Sequence, residues 1–148
     1  MKKVILFSVL LLSVTAHAGL AGKWIGWGTW TFKGDGVGCN PMTMQWSETK
    51  TSIAITGGYF DCQVVGMDLG DTAWTLKDAV LFDENQKAVG TYDGSRFEVD
   101  MPSPNENTSI HIIVKREGNH YDYQEIWYNP AEKIYVIEGR LFTSGESK

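Results

Sequence analysis

The chain has 148 residues, 43% of them hydrophobic and 12% aromatic, with 13 basic against 18 acidic side chains and a formal charge of −5. That length and apolar content suit one domain able to bury a real core. The charges are scattered and form no basic stripe, which speaks against nucleic acid and anionic membrane surfaces as partners.

Residues 1–18 read as a secretory signal: Lys2 and Lys3 form a basic start, residues 4–14 an apolar stretch, and Ala16-His17-Ala18 a cleavage site of small-residue type. The apolar stretch is too short for a comfortable membrane span. The two-lysine start points to bacterial export, into the periplasm or the medium. No cysteine at the cleavage point offers a lipid anchor. The mature chain, residues 19–148, is expected to be one domain. Loss of Lys2 and Lys3 leaves 11 basic against 18 acidic residues, a net charge of −7.

Strand signals then dominate in chain order. Residues 20–32 carry Trp24, Trp27, Trp30 and Phe32 among glycines that allow a long strand to bend. The glycine-rich stretch 33–40 reads as a loop. Residues 42–49 and 52–60 form a predicted hairpin around Lys50-Thr51, followed by strands at 63–67, 72–76, 79–82, 88–92 and 96–101. A proline-punctuated loop at 102–108 leads to a second hairpin, 110–116 and 121–128, and a last strand at 134–142 precedes a frayed tail. Short helices at 66–71 or 129–132 are the remaining helical options. The pattern predicts an all-β fold: an antiparallel up-and-down barrel of about 8–10 strands.

The two cysteines, Cys39 and Cys62, both lie in the exported part, where an oxidising compartment favours a disulfide. Register agrees, because pairing Thr49 with Ser52 and counting outward sets Cys39 opposite Cys62. A period of two places Met42, Met44 and Trp46 on one face, as it does Phe97, Val99 and Met101, and Ile110, Ile112 and Val114. A barrel of this size either fills its interior with such side chains or leaves room for one small ligand.

Gly22-Lys23-Trp24, a few residues after the signal, together with the meander and Arg140 on the last strand, resembles the calycin superfamily of lipocalins, fatty-acid-binding proteins and avidins. The resemblance implies a lipocalin-like barrel whose base is latched by Arg140 packing across Trp24. The run Gly22-Lys23-Trp24-Ile25-Gly26 also looks like nitrobindin-type haem barrels and a lipocalin-like bacterial branch, and the turn Tyr128-Asn129-Pro130-Ala131-Glu132-Lys133 is similar to one of the latter. Haem barrels of that type use a C-terminal His. No His follows His120, so no haem or other cofactor is expected.

Candidate chemistry is sparse. His111 is expected to face outward and His120 to sit at a turn, without the spacing of a metal site, so no metal is expected. Glu48, Glu98, Glu125 and Glu138 lie on strands and could work as interior carboxylates. On the same strand face as Arg140, Glu138 is the favoured polar clamp. The candidate ligand-binding set is Trp30, Met42, Met44, Trp46, Trp74, Phe97, Ile112 and Glu138, with Trp127 a further candidate wall. Three readings follow. The first is an exported barrel that binds a small apolar or amphipathic molecule. The second is a cavity-free envelope interaction module with exposed aromatics such as Trp27 or Tyr121. The third is a barrel enzyme using Glu125 or Glu138. A binder is favoured over an enzyme, while ligand identity and oligomeric state stay open.

Overall fold

The computed structural model describes residues 19–103 and 107–144. The predicted signal segment, part of the 102–108 loop and the end of the tail lie outside the described residues.

Eleven strands follow one another: β1 (Gly22–Phe32), β2 (Asp35–Glu48), β3 (Ser52–Cys62), β4 (Val65–Leu69), β5 (Thr72–Lys77), β6 (Val80–Phe82), β7 (Ala88–Tyr92), β8 (Arg96–Pro102), β9 (Ser109–Glu117), β10 (His120–Tyr128) and β11 (Lys133–Thr143). They make one antiparallel sheet, and β1 pairs with both β2 and β11. With the β2–β3 pairing, this closes a ring of ten strands with up-and-down connectivity. Closure leaves no long open edge of the kind that invites aggregation.

The strand β4 is the exception, since it pairs with β3 alone. It occupies the far part of the edge of β3 (Gly58–Cys62), and β5 occupies the near part (Ser52–Ile55). The two are in effect one partner of β3, interrupted at Gly70-Asp71. The next strands, β6 and β7, have only 3 and 5 residues. The wall from β5 to β7 is therefore lower than the rest.

Several sequence expectations need correction. Of the predicted loop 33–40, only Lys33-Gly34 turns, and β2 begins at Asp35, because its backbone pairs with Phe32 back to Gly28. Glycine-rich composition hid a strand whose hydrogen bonds come from its partner. Neither candidate helix exists: residues 65–69 are strand, and 129–132 is a turn in which Asn129 Oδ1 accepts from Ala131 N at 2.8 Å and Glu132 N at 2.9 Å. The β2–β3 register runs as counted from Glu48↔Ile53 to Trp46↔Ile55, then slips by one residue at a bulge, giving Gln45↔Gly57 and Met42↔Phe60. The Cys39–Cys62 disulfide nevertheless forms. Closing a loop with a sequence separation of 23 stabilises the fold by about 3 kcal/mol, largely by restricting the unfolded chain.

The interior is built by the expected alternation. Met42, Met44, Trp46, Phe97, Val99, Ile110, Ile112 and Val114 are all buried. Gly28 and Gly139 make the seat for Met42, since a Cβ on either would lie 2.5 or 2.6 Å from its sulfur, and a Cβ on Gly28 would also meet the Glu138 backbone oxygen.

Candidate functional site

The barrel's two ends differ. At the base, where β1 starts and β2, β5, β7 and β9 end, the chain's own residues Gly19 and Leu20 tuck into the barrel. Leu20 is fully buried, and its N–H donates to Glu48 Oε2 at 2.9 Å and to the Tyr92 hydroxyl at 3.2 Å. Trp24 Nε1 donates to Leu20 O at 2.7 Å, and Tyr92 donates to Glu48 Oε2 at 2.8 Å. Trp24 also packs on Tyr121 with ring centroids 4.7 Å apart. Burial and the adjoining Glu48 carboxylate push the Tyr92 hydroxyl's pKa well up, so it stays a neutral donor.

Across Trp24 lies an arginine, but it is Arg116, 5.0 Å from the ring centroid, which also donates to Gly19 O. The expected latch residue Arg140 points outward and pairs with Asp122, Nε to Oδ1 at 2.7 Å and Nη2 to Oδ2 at 3.1 Å. The reason is strand parity. Ile137 and Leu141 of β11 are fully buried, so Glu138 and Arg140 between and beside them face solvent. Glu138 is exposed and accepts from Gln124 Nε2 at 2.5 Å. It is not an interior clamp. Arg116 could have been found by extending the Ile110–Ile112–Val114 face of β9 by two residues.

Away from the base the packing among the described residues leaves a partly open space. A cavity of about 270 Å³ is lined by Ile55, Asp68, Leu69, Gly70, Thr72, Trp74, Met101, Ile110, Ile112, Tyr123, Glu125 and Trp127. It lies where the wall is low, between the β4–β5 interruption on one side and the ends of β8 and β9 on the other. Its walls are mostly apolar, and one polar group stands out. Glu125 is 7% exposed and is the one charged side chain buried among the described residues. Its neighbours on the same face of β10, Tyr123 and Trp127, both donate to it: the Tyr123 hydroxyl to Oε2 and Trp127 Nε1 to Oε1.

Burial raises the pKa of Glu125 above the ordinary carboxylate value, and the two hydrogen bonds only partly oppose this. The charge of Glu125 in turn helps burial raise the phenol pKa values of Tyr123 and Tyr135. Tyr135 stacks on Trp127 at 5.0 Å, with Trp30 edge-on to it at 6.0 Å. Glu125 therefore sits beneath a cluster of aromatic rings.

Of the candidate ligand-binding residues, Trp74 and Ile112 line the cavity. Trp30 belongs to the neighbouring aromatic cluster. Met42 and Met44 are fully packed, and Trp46 and Phe97 lie in the core, their rings 5.2 Å apart. Glu125 and Trp127 stand apart as candidates in the sequence, and the structure joins them. The alternation Tyr121, Tyr123, Glu125, Trp127 was the available signal, and it puts a carboxylate on the inner face of β10.

The outer surface carries a larger groove of about 610 Å³, crossed by Trp27, Ile113, Arg96, Lys115 and the Arg140–Asp122 pair. Its charges are matched by surface partners: Arg96 with Glu98 at 2.7 Å and Lys115 with Glu117 at 2.6 Å, besides Arg140 with Asp122. Exposed pairs of this kind are ordinary features of a solvated sheet face. Trp27 is 58% exposed and stacks on Phe142 at 5.4 Å. Tyr121, by contrast, is fully buried and cannot mark a partner surface. His111 does face outward, 2.9 Å from Asp100 and 3.4 Å from Glu98, and no group suited to a metal ion occurs among the described residues.

Compared with protein-family models and with curated proteins, the chain matches none.

Proposed function

We propose that the chain is an exported, lipocalin-like member of the calycin superfamily that binds a small amphipathic molecule in the cavity beside Glu125. One observation carries this reading. A mostly apolar cavity holds a single buried carboxylate, above a base that is fully packed. Binding sites for small molecules have this character: apolar walls bury the ligand, and one or two polar groups orient it. At about 270 Å³ the space lies just below the range of drug-sized pockets and suits one ring with a short chain. The closed antiparallel barrel and the Trp24–Arg116 packing over residues 19 and 20 support the calycin assignment. The Cys39–Cys62 disulfide and the pattern of residues 1–18 support export.

The cavity argues against the cavity-free module. An enzyme reading draws on the raised pKa of Glu125, the state expected of a general acid. Binding is favoured because both carboxylate oxygens are already engaged by protein donors.

Titrating the protein with neutral one-ring alcohols, followed by amide chemical shifts, tests the binding reading. Shifts should cluster at Leu69, Trp74, Ile110 and Ile112. They should vanish in Ile112→Trp, which fills the cavity. Absence of shifts in the parent protein with neutral, cationic and anionic one-ring probes alike, or unchanged binding by a folded Ile112→Trp variant, would overturn it.

A further inference from the structure

Glu125 is a buried carboxylate with an unfinished set of partners. Each of its oxygens accepts one hydrogen bond, from Tyr123 or from Trp127. A carboxylate oxygen has two lone pairs, so one acceptor position remains on each. More telling is the missing charge. Among the described residues no Lys, Arg or His forms an ion pair with Glu125, and no cation contributes to its electrostatic environment. The base glutamate, Glu48, instead serves the chain's own N–H of Leu20. The cations that approach the outer side of the same strands are held elsewhere, as Arg140 is by Asp122.

Burying a carboxylate without a counter-charge costs several kcal/mol, and in this structure only two neutral donors offset it. The cavity borders that carboxylate directly, and its other walls include the rings of Trp74, Tyr123 and Trp127. Electron-rich ring faces attract a cation, and most strongly where water is excluded. The second carboxylate of the lining, Asp68, adds negative charge on the β4 side. The chain as a whole is acidic, with a formal charge of −5, which favours the approach of cations and disfavours that of anions.

We infer that the ligand of this cavity is a small organic amine, its ammonium group donating to the free lone pairs of Glu125 and its ring or alkyl body lying against Trp74, Ile110 and Ile112. The inference rests on the reading of the cavity as a ligand site and narrows that site's chemistry. A neutral alcohol completes a hydrogen bond but not the charge. A carboxylate ligand brings a second negative charge to a place that already lacks a cation. Specificity is therefore electrostatic, whereas the cavity walls contribute affinity common to all three ligand types.

The test uses three probes of the same skeleton: 2-phenylethylamine, 2-phenylethanol and phenylacetate. Calorimetric titrations at pH 8, with amide shifts to locate each probe, should rank amine above alcohol by roughly 10–100-fold, the usual advantage of a charge-assisted hydrogen bond. Phenylacetate should bind weakest. In Glu125→Gln the amine should fall to the level of the alcohol while the alcohol is little changed. Equal binding of amine and alcohol by the parent protein would overturn the amine assignment and leave the ligand-site reading standing. Binding of none of the three would overturn both. The parent-protein ranking needs no variant, so poor folding of Glu125→Gln does not spare the proposal.

Discussion

At the base of the barrel Leu20 and Trp24 are fully buried, and the polar groups around them meet in pairs: Leu20 N–H with Glu48, Trp24 with Leu20 O, Tyr92 with Glu48. Beyond the midpoint, the same inward-facing stripes of β8, β9 and β10 border a cavity, and a glutamate there has donors but, among the described residues, no cation. Local sequence does not explain the difference, since both halves alternate apolar and polar residues alike. It comes from what fills each lumen. The base receives Gly19 and Leu20 as a plug. Among the described residues no comparable segment enters the upper half, and its wall is low, because β4 and β5 share one edge of β3 and β6 is three residues long. On the proposed reading, the plugged half supplies stability and the other half takes the ligand.

The largest test of that division compares two tryptophans. Trp24→Ala removes a ring with no exposure from a packed layer and should cost about 3–5 kcal/mol. Trp74 borders the cavity, so part of its surface already faces space and Trp74→Ala should cost less. Urea denaturation midpoints at constant slope give the comparison. A Trp74→Ala loss equal to or above that of Trp24→Ala would erase the distinction between a packed base and a hollow upper half.

A smaller effect separates the two arginines. Arg116→Met keeps the aliphatic stem but loses the cation over Trp24 and the bond to Gly19 O, and should cost about 0.5–2 kcal/mol. Arg140→Met breaks only the exposed pair with Asp122 and should leave the midpoint unmoved. The reverse outcome would restore Arg140 as the latch.

These arginines also show how far the sequence could be read. The all-β meander, the disulfide partners and most of the inner face were legible, because a period of two is plain wherever polar residues alternate cleanly, as in Phe97, Val99 and Met101. The last strand lacks that clarity. Ile134, Tyr135, Val136 and Ile137 are apolar in succession, so parity cannot be read there, and Glu138 and Arg140 were placed on the wrong face. The strand inside the glycine-rich stretch 33–40 was hidden for a different reason: its stability lies in backbone pairing with β1, which composition does not report. The cavity was illegible altogether. It depends on the lengths of β4 to β7, which the periodicity does not report.

The subtlest distinction between the halves is the sign of a pH effect. Burial raises the folded-state pKa of Glu125 above its ordinary value of 4.5, so between the two values the folded protein holds a proton that the unfolded chain has lost. The stability associated with that proton is fully present below about pH 4.5, falls as pH rises through the raised value, and is flat beyond it. The slope contributed by one group is at most about 1.4 kcal/mol per pH unit. Asp122 on the outer surface behaves oppositely: the Arg140 guanidinium holds its carboxyl below the ordinary 3.8, so its contribution is present above that value and lost as pH falls through the depressed one. Stability measured from pH 3 to pH 8 should therefore show a decline above 4.5 that Glu125→Gln removes and Asp122→Asn does not. Saturating 2-phenylethylamine should flatten the same decline in the parent protein, because an ammonium beside Glu125 stabilises the carboxylate and pulls its pKa back toward the unfolded value. A decline that persists in Glu125→Gln would mean that another group carries it, and that Glu125 is not the strained charge of the upper half.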